Sequence, residues 1–516
     1  MSSVLDEVFE PAPDLLSTMT GAESKAAVLL ALDIGTSGIR AALFDEDGGE
    51  IDGTSVRTNR LSPGVTDFST IDPGELLLQV VETIDAALDE APATRIELVA
   101  VSCFWHSLVG VDETGNATTP VLGWADNTAS SAALELRSKL DEARVRARTG
   151  CRLHQSYWPA KLLRLRNEAP DIFSATTKWL SFAEYLALHL FGETAASVSM
   201  ASGTGLMDQR TCEWDQELLE ALDIRVESLP EIGAPSRTLS ELKQEYVARW
   251  PQLSHARMFP AIGDGAANNI GAGCTTKEKV SLMIGTSGAM RVLFAGEPPA
   301  QIPDGLWCYR ADRNRVILGG ALSDGGGLYQ WLRESLVLHY DSESIESELS
   351  RMEPDAHRLT ILPFWAGERS VGWNPEAAGA ILGLTLQTHP LQILRGAMEA
   401  IAYRFALIAR ALETVAPQAT IMASGNAIVS SPTWAQILAD VLGRRITVSE
   451  AAEASLRGAA LLALEAAGKI QSIEKLSTPA EAIFEPSIAR HDVYQRGLER
   501  QQRMYARVIT KPKQDG

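Results

Sequence analysis

The stretch LDIGTSGIRAALFD, Leu32 to Asp45, is answered far downstream by LMIGTSGAMRVLF, Leu282 to Phe294. The pentapeptide IGTSG therefore occurs twice, beginning at Ile34 and at Ile284. In each copy a short apolar run enters a Gly-Thr-Ser-Gly turn and a second apolar run leaves it, which is the pattern of a β-hairpin. A third strand is expected after the Asp45 to Gly49 turn of the first copy and over Arg315 to Gly319 in the second. One supersecondary unit written twice predicts two similar domains. The copies differ at one chemically important place, where Asp33 precedes the first pentapeptide and Met283 the second.

Helices fill the remainder. Asp72 before Pro73 is an N-cap with proline at the first helical position, and Leu76, Leu77, Val80, Val81, Ile84 and Leu88 continue it as one apolar stripe. Ser431-Pro432 opens a helix stopped by Gly443, and Ser455 opens another stopped by Gly468. Ile96 to Gly115 reads as strand, bend, strand and turn, which puts Trp105 and His106 at a strand end. Alternating strands, helices and Gly-rich turns make the class α/β.

A chain of 516 residues exceeds one core, and 45% apolar with 22% charged residues is ordinary for a globular protein. The net charge of -20 argues against nucleic acid or an anionic membrane surface as partner, so any anion site must be built locally. No segment approaches the ~20 apolar residues of a membrane span. Residues 1–25 carry acids and prolines without the apolar stretch of a signal peptide, which predicts a loose tail on a cytoplasmic protein. The five cysteines, Cys103, Cys151, Cys212, Cys274 and Cys308, show no CxxC spacing and are expected as reduced core thiols.

A turn of Gly35, Thr36 and Ser37 between strands exposes backbone N–H groups and two hydroxyls, a concave anion site suited to phosphate, and Gly285, Thr286 and Ser287 repeat it. One such turn alone would be plain hairpin chemistry. Two, one beside an acid, point to a polyphosphate gripped from both sides, with Asp33 holding Mg²⁺ or its water shell. P-loop, protein-kinase, GxGxxG, HExxH and GxSxG patterns are absent.

In the order LDIGTSGIRAALFD, GDGAANNIGAG, IGTSGAMRV and ASGNAIVSSPTWAQILADVLG, the chain from about Ala27 to about Leu464 resembles the FGGY carbohydrate kinases of the actin-like ATPase superfamily. Gly379 to Ile401 nearly matches that family's C-terminal signature and departs at Gly396, a packing change. The resemblance implies two actin-like (ribonuclease H-like) domains with a nucleotide cleft between them, over 26–262 and 263–510. It implies ATP and Mg²⁺, and a small sugar or sugar acid as acceptor. It makes Asp264, in AIGDGAANN, the catalytic base and a metal ligand with Asp33. Flanking Gly263 and Gly265 let the backbone approach the substrate.

By the same resemblance Arg40 and Thr286 face phosphate, Gly326 and Gln330 meet the nucleotide, and Gly425, Asn426 and Ser430 lie near adenine and ribose. Asn426 stands where many relatives have a second glycine, and asparagine is the non-glycine residue that best tolerates positive φ. Trp105, His106 and Asp126, with Asn127 after it, fall at acceptor positions. CFWHSLVGVD, GWADNTAS and FWAGERSVGWNPEAAG are most similar to the gluconokinase branch. An aldonate carboxylate would then need a cation, first Lys161 and second Arg369. Xylulokinase or another ketose or polyol kinase, and a sugar-binding sensor without turnover, remain as alternatives. A homodimer is left open.

Overall fold

Both repeated turns join adjacent antiparallel strands. In the computed structural model, which describes residues 28–36, 38–59, 70–91, 95–234, 236–374, 376–449, 453–476 and 480–509, β1 (Leu29–Ile34) and β2 (Gly38–Phe44) pair antiparallel with Asp33 opposite Arg40. The expected tail and Ser37 lie outside those residues. β3 (Val56–Asn59) adds antiparallel to β2, as the turn after Phe44 suggests. β4 (Leu98–Cys103) runs parallel to β1 on its other side, with the short β5 (Arg257–Met258) and β6 (Ile262–Gly263) parallel to β4 beyond it.

The second hairpin repeats this plan. β7 (Lys279–Ile284) pairs antiparallel with β8 (Gly288–Ala295), which carries β10 (Arg315–Leu322) on its far edge, and β9 (Trp307–Arg310) pairs in turn with β10. Parallel β11 (Thr420–Ser424) and β12 (Ile446–Ser449) follow on the other side of β7, and β13 (Ala480–Phe484) closes a seven-stranded sheet.

The caps act locally where the sequence put them. Asp72 accepts the Glu75 N–H at 2.8 Å to start α1 (Pro73–Asp89), whose Leu76, Val80, Val81, Ile84 and Leu88 are buried. Burying such a side chain is worth about 1.5–3 kcal/mol. α2 (Trp158–Glu168), α3 (Phe182–Phe191) and α4 (Val198–Gly203) belong to the first half, and α5 (Asp264–Gly271) follows β6 directly. α6 (Gly326–Ser335), α7 (Pro390–Leu412) and the four-residue α8 (Asn426–Val429) belong to the second. Ser431 caps α9 (Pro432–Leu442) through the Trp434 N–H, and Gly443 ends it at φ +64°. α10 (Ala454–Ala466) starts one residue earlier than Ser455 would have it, and α11 (Ile488–Val508) ends the described chain.

The halves interlock. α10 comes late in sequence, yet its Leu456, Ala460, Leu461 and Leu464 share a core with Leu30, Leu32 and Leu98 of the first sheet. It reaches α5 through bare backbone: a Cβ on Gly458 would run into the Ala267 carbonyl, and one on Gly271 into the Ala454 carbonyl. Trp307, Tyr309 and Ile317 of the second sheet also pack into this first core. All five cysteines are buried as thiols, none in a disulfide. Among the described residues no helix is long and apolar enough to cross a membrane.

Candidate active site

The first turn places a carboxylate under tension between burial and its partners. Asp33 is the penultimate residue of β1; its Oδ1 accepts from Ser102 Oγ at 2.7 Å and its Oδ2 from Arg40 Nη1 at 3.0 Å. Burial pushes its carboxyl up, and the Arg40 charge and the Ser102 hydroxyl oppose that push. Arg40 is itself held between two acids, with Glu453 Oε2 at 2.8 Å from its Nε. Glu453 is thus drawn to Arg40 and does not cap α10 with its side chain. The Gly35 N–H closes the turn on the Gly38 carbonyl at 3.0 Å, with Thr36 between.

The second turn is docked backbone to backbone. Gly285 N–H donates to Ser287 O at 3.0 Å, Gly325 and Gly327 donate to Thr286 O at 3.1 and 2.9 Å, and Gly326 donates to Gly285 O at 2.8 Å. A Cβ on Gly326 would stand 2.7 Å from Gly285 O and 3.0 Å from the Ala427 Cβ. Gly425, at φ +95°, lies directly on the Ile284 backbone. Three segments distant in sequence so form one surface with no side chain in the way, which suits a nucleotide's phosphates and base edge. Asn426 needs no positive φ: it is the first residue of α8, and the positive φ falls on Gly425. Ser430 Oγ bonds to Asn426 O at 2.6 Å, and Gln330 is exposed on α6 and bonds to Glu334 at 2.9 Å.

Asp264 begins α5 at the junction of the halves, where its Oδ1 accepts the Gly265 N–H at 2.8 Å. Burial pushes its carboxyl up and Asp33 adds to the push, while Arg291 opposes it. The two carboxylates are therefore near enough for the charge of one to act on the other. With phosphate oxygens and water they make the hard-oxygen donor set that fits Mg²⁺. A separate trio, Asp355, His357 and Glu399, is already held by Arg500 and Arg395.

Beside Asp264 lies a buried aromatic cluster. Trp105 Nε1 donates to Ser199 O at 3.0 Å, and Ser199 Oγ accepts the Gly263 N–H at 3.1 Å, so α4 fixes both the indole and the chain entering Asp264. His106 sits at φ +69° with Nδ1 2.5 Å from Gly203 O, an arrangement that needs the proton on Nδ1 and leaves Nε2 as an acceptor. Burial pushes this imidazole down to about 3, so it is neutral. Its ring meets Tyr157 and Tyr309 edge-on at 5.0 and 5.8 Å, and those two hydroxyls bond to each other at 2.6 Å. Tyr309 stacks on Trp307 at 4.1 Å, and Trp373 packs against Tyr157.

The two candidate cations separate. Arg369 lies over the Trp124 ring at 4.6 Å and donates to Leu322 O at 2.8 Å, while its Nε is buried without a partner. Lys161 is fully buried on α2, and its Nζ donates to the carbonyls of His106, Leu122 and Gly123 at 2.7, 3.1 and 2.8 Å. Three donors on three carbonyls leave none for a substrate, so the expectation of Lys161 as a carboxylate ligand is corrected: it ties the loop carrying His106 to the one carrying Trp124. Asp126 is 0% exposed; its Oδ1 accepts the Thr128 N–H at 2.9 Å, and its Oδ2 is buried with no hydrogen-bond partner among the described residues, open to an acceptor hydroxyl. The Asp126 charge also acts on Lys161. Asn127 is exposed.

Sequence reasoning missed Tyr157, Tyr309, Trp307, Trp124 and Arg291. Two of them had a signal, Trp124 inside GWADNTAS and Arg291 just beyond the second turn.

Models of the FGGY family of carbohydrate kinases match the chain in order, the N-terminal domain over 28–271 and the C-terminal domain over 280–467. The chain is 28% identical over 463 residues to the gluconokinase of Bacillus subtilis (strain 168), covering 87% of this chain and 89% of that protein. It is 25% identical to the xylulose kinase of Escherichia coli (strain K12) over 93% of this chain and 99% of that one. It is 30% identical to a glycerol kinase of Aromatoleum aromaticum over 89% of this chain and 95% of that one. The fold superposes on a gluconate kinase from Lactobacillus acidophilus with a TM-score of 0.83, at 26% identity, covering 92% of this chain and 97% of that one. A xylulose kinase from the same organism superposes with the same figures. Family models thus match the chain along both halves, and it belongs to the FGGY family of carbohydrate kinases.

Proposed function

We propose that this carbohydrate kinase transfers the γ-phosphoryl group of ATP to the primary hydroxyl of a sugar acid, D-gluconate, giving 6-phosphogluconate. The observation that carries the reading is Arg369, a guanidinium with an unpartnered Nε held among Trp124, Tyr157 and Tyr309. In a chain of net charge -20 an acceptor carboxylate needs such a dedicated cation. The gluconokinase and gluconate kinase among the relatives support the same choice.

In the reaction the acceptor oxygen attacks the γ-phosphorus, the bond from that phosphorus to the β,γ-bridging oxygen breaks, and ADP leaves. Asp264 takes the hydroxyl proton. The two glycine turns position the phosphates through backbone N–H groups, and the neutral His106 Nε2 accepts a hydrogen bond from an acceptor hydroxyl. Mg²⁺, held by Asp33 and Asp264, would supply charge neutralisation to the phosphates. Water is kept from the site by the Trp105, Trp307 and Trp373 wall.

A second reading, a ketose as acceptor, is favoured by the xylulose kinase that superposes with an equal TM-score. A coupled ADP-release assay across gluconate, xylulose, glycerol and ribulose decides between them. Gluconate is expected to give the highest kcat/KM, by at least ~10-fold, the discrimination of one charge-assisted contact. A higher value with xylulose or glycerol replaces the sugar acid.

A further inference from the structure

Four arginines of the described chain are buried: Arg291, Arg310, Arg395 and Arg404. Three of them face a carboxylate inside the protein, Arg310 on Glu297, Arg395 on Glu399 and Arg404 on Glu368. Arg291 has no ion pair among the described residues. Its one hydrogen bond is long, from Nη1 to Gly265 O at 3.5 Å, and its Nε is buried with no partner. A buried guanidinium with no ion pair and no close hydrogen bond is costly, and the fold retains this one beside Asp264.

The sequence makes room for it there. Arg291 stands on β8 between Ser281 of β7 and Gly319 of β10. A Cβ on Gly319 would crowd its stem at 2.9 Å. The head group lies over Gly265, where a Cβ would come 3.1 Å from both its Cζ and its Nε and 2.5 Å from Trp105 Cζ3. Two glycines thus hold a channel for one arginine, which ends next to Asp264. Asp264, Arg369 and Tyr309 all act on its charge. Burial pushes it down to about 10, which leaves it a cation at neutral pH.

We propose that Arg291 is a specificity-determining residue of the acceptor site: with Arg369 it forms a two-guanidinium socket that the carboxylate of a sugar acid completes and a neutral sugar leaves open. This rests on the sugar-acid reading above. The socket also explains why Gly265 carries no side chain. Any Cβ there would displace the guanidinium or the Trp105 indole.

Calorimetric titration without ATP tests it, using gluconate and its neutral alditol, sorbitol, on the whole enzyme and on Arg291→Gln, Arg291→Met and Arg291→Lys. Wild type should bind gluconate more tightly than sorbitol. Arg291→Gln and Arg291→Met should weaken gluconate by about 10- to 100-fold, the size of one or two charge-assisted hydrogen bonds, and sorbitol by less than about 3-fold. Arg291→Lys, which keeps the charge, should retain most of the preference. Equal losses on both ligands, or none on gluconate, overturn the assignment and leave Arg369 as the sole cation. Failure of all three variants to fold also overturns it, since Arg291 would then be a structural residue. A wild type that binds gluconate no better than sorbitol sinks the sugar-acid reading itself, before any variant is compared.

Discussion

A lysine ammonium has three N–H donors, and at Lys161 the fold has used all three on backbone carbonyls. Lys161→Met would strand those carbonyls, at a cost of about 1–3 kcal/mol for each one left unsatisfied. The variant should melt well below wild type, and activity on gluconate and on neutral acceptors should fall together with the folded fraction. An unchanged melting temperature with loss on gluconate alone would return Lys161 to the acceptor site. Asp264→Asn keeps the shape and removes the base, so kcat should drop at least ~10²-fold with nucleotide binding retained. Single-turnover measurements at saturating ATP read this directly, and near-normal turnover by a pure sample would remove Asp264 from the reaction. Asp264 was legible because its glycine neighbours and its motif are local. The saturation of Lys161 was not, because its carbonyl partners come from two other loops and a sequence does not say which donors have been spent.

At the scale of elements, α3 carries a titratable switch in its cap. Ser181 and Glu184 form a capping box, in which Glu184 accepts the Ser181 N–H at 2.7 Å. Burial raises the Glu184 carboxyl from 4.5 to about 7. The folded state therefore holds a proton that the unfolded chain releases: the stabilisation is full below pH 4.5 and is lost as pH rises through about 7. Glutamine keeps the box and cannot ionise. Glu184→Gln should gain on wild type by up to roughly 3 kcal/mol at pH 8 and by little at pH 4.5, as urea unfolding at the two values would read. A constant difference across pH would mean that Glu184 does not titrate in the fold. Gly458→Ala should cost about 1–3 kcal/mol, because its Cβ is driven onto the Ala267 carbonyl. If the contact had slack, the gain in helix propensity, about 1 kcal/mol, would appear in the unfolding midpoint instead. Caps and hairpins were readable because they depend on neighbours a few residues away. That α10 joins the first sheet was not, since an apolar stripe says that a helix is buried without saying against what.

The whole molecule divides less cleanly than its repeat. The expected halves met at 262 and 263, yet α10 crosses back into the first core, and β9 delivers Trp307 and Tyr309 to the aromatic cluster that Trp105 and His106 begin. The repeated turn was enough to predict two domains of one plan. The aromatic cluster lay beyond reach because its residues are scattered from Trp105 to Trp373 and carry no common spacing. That scatter has an optical consequence. Trp105 meets Trp307 at 6.1 Å and 72°, and Trp307 stacks on Tyr309 at 4.1 Å and 9°, so chromophores contributed by both halves are close enough to share their excitation. Such a set has a near-ultraviolet circular dichroism band tied to the packing of the two halves. Acceptor binding should change that band, and the Trp307→Phe difference spectrum isolates it from the other tryptophans. A spectrum indifferent to acceptor in wild type would place the sugar away from this wall. Otherwise the enzyme reports the arrival of its acceptor in light, with no dye attached.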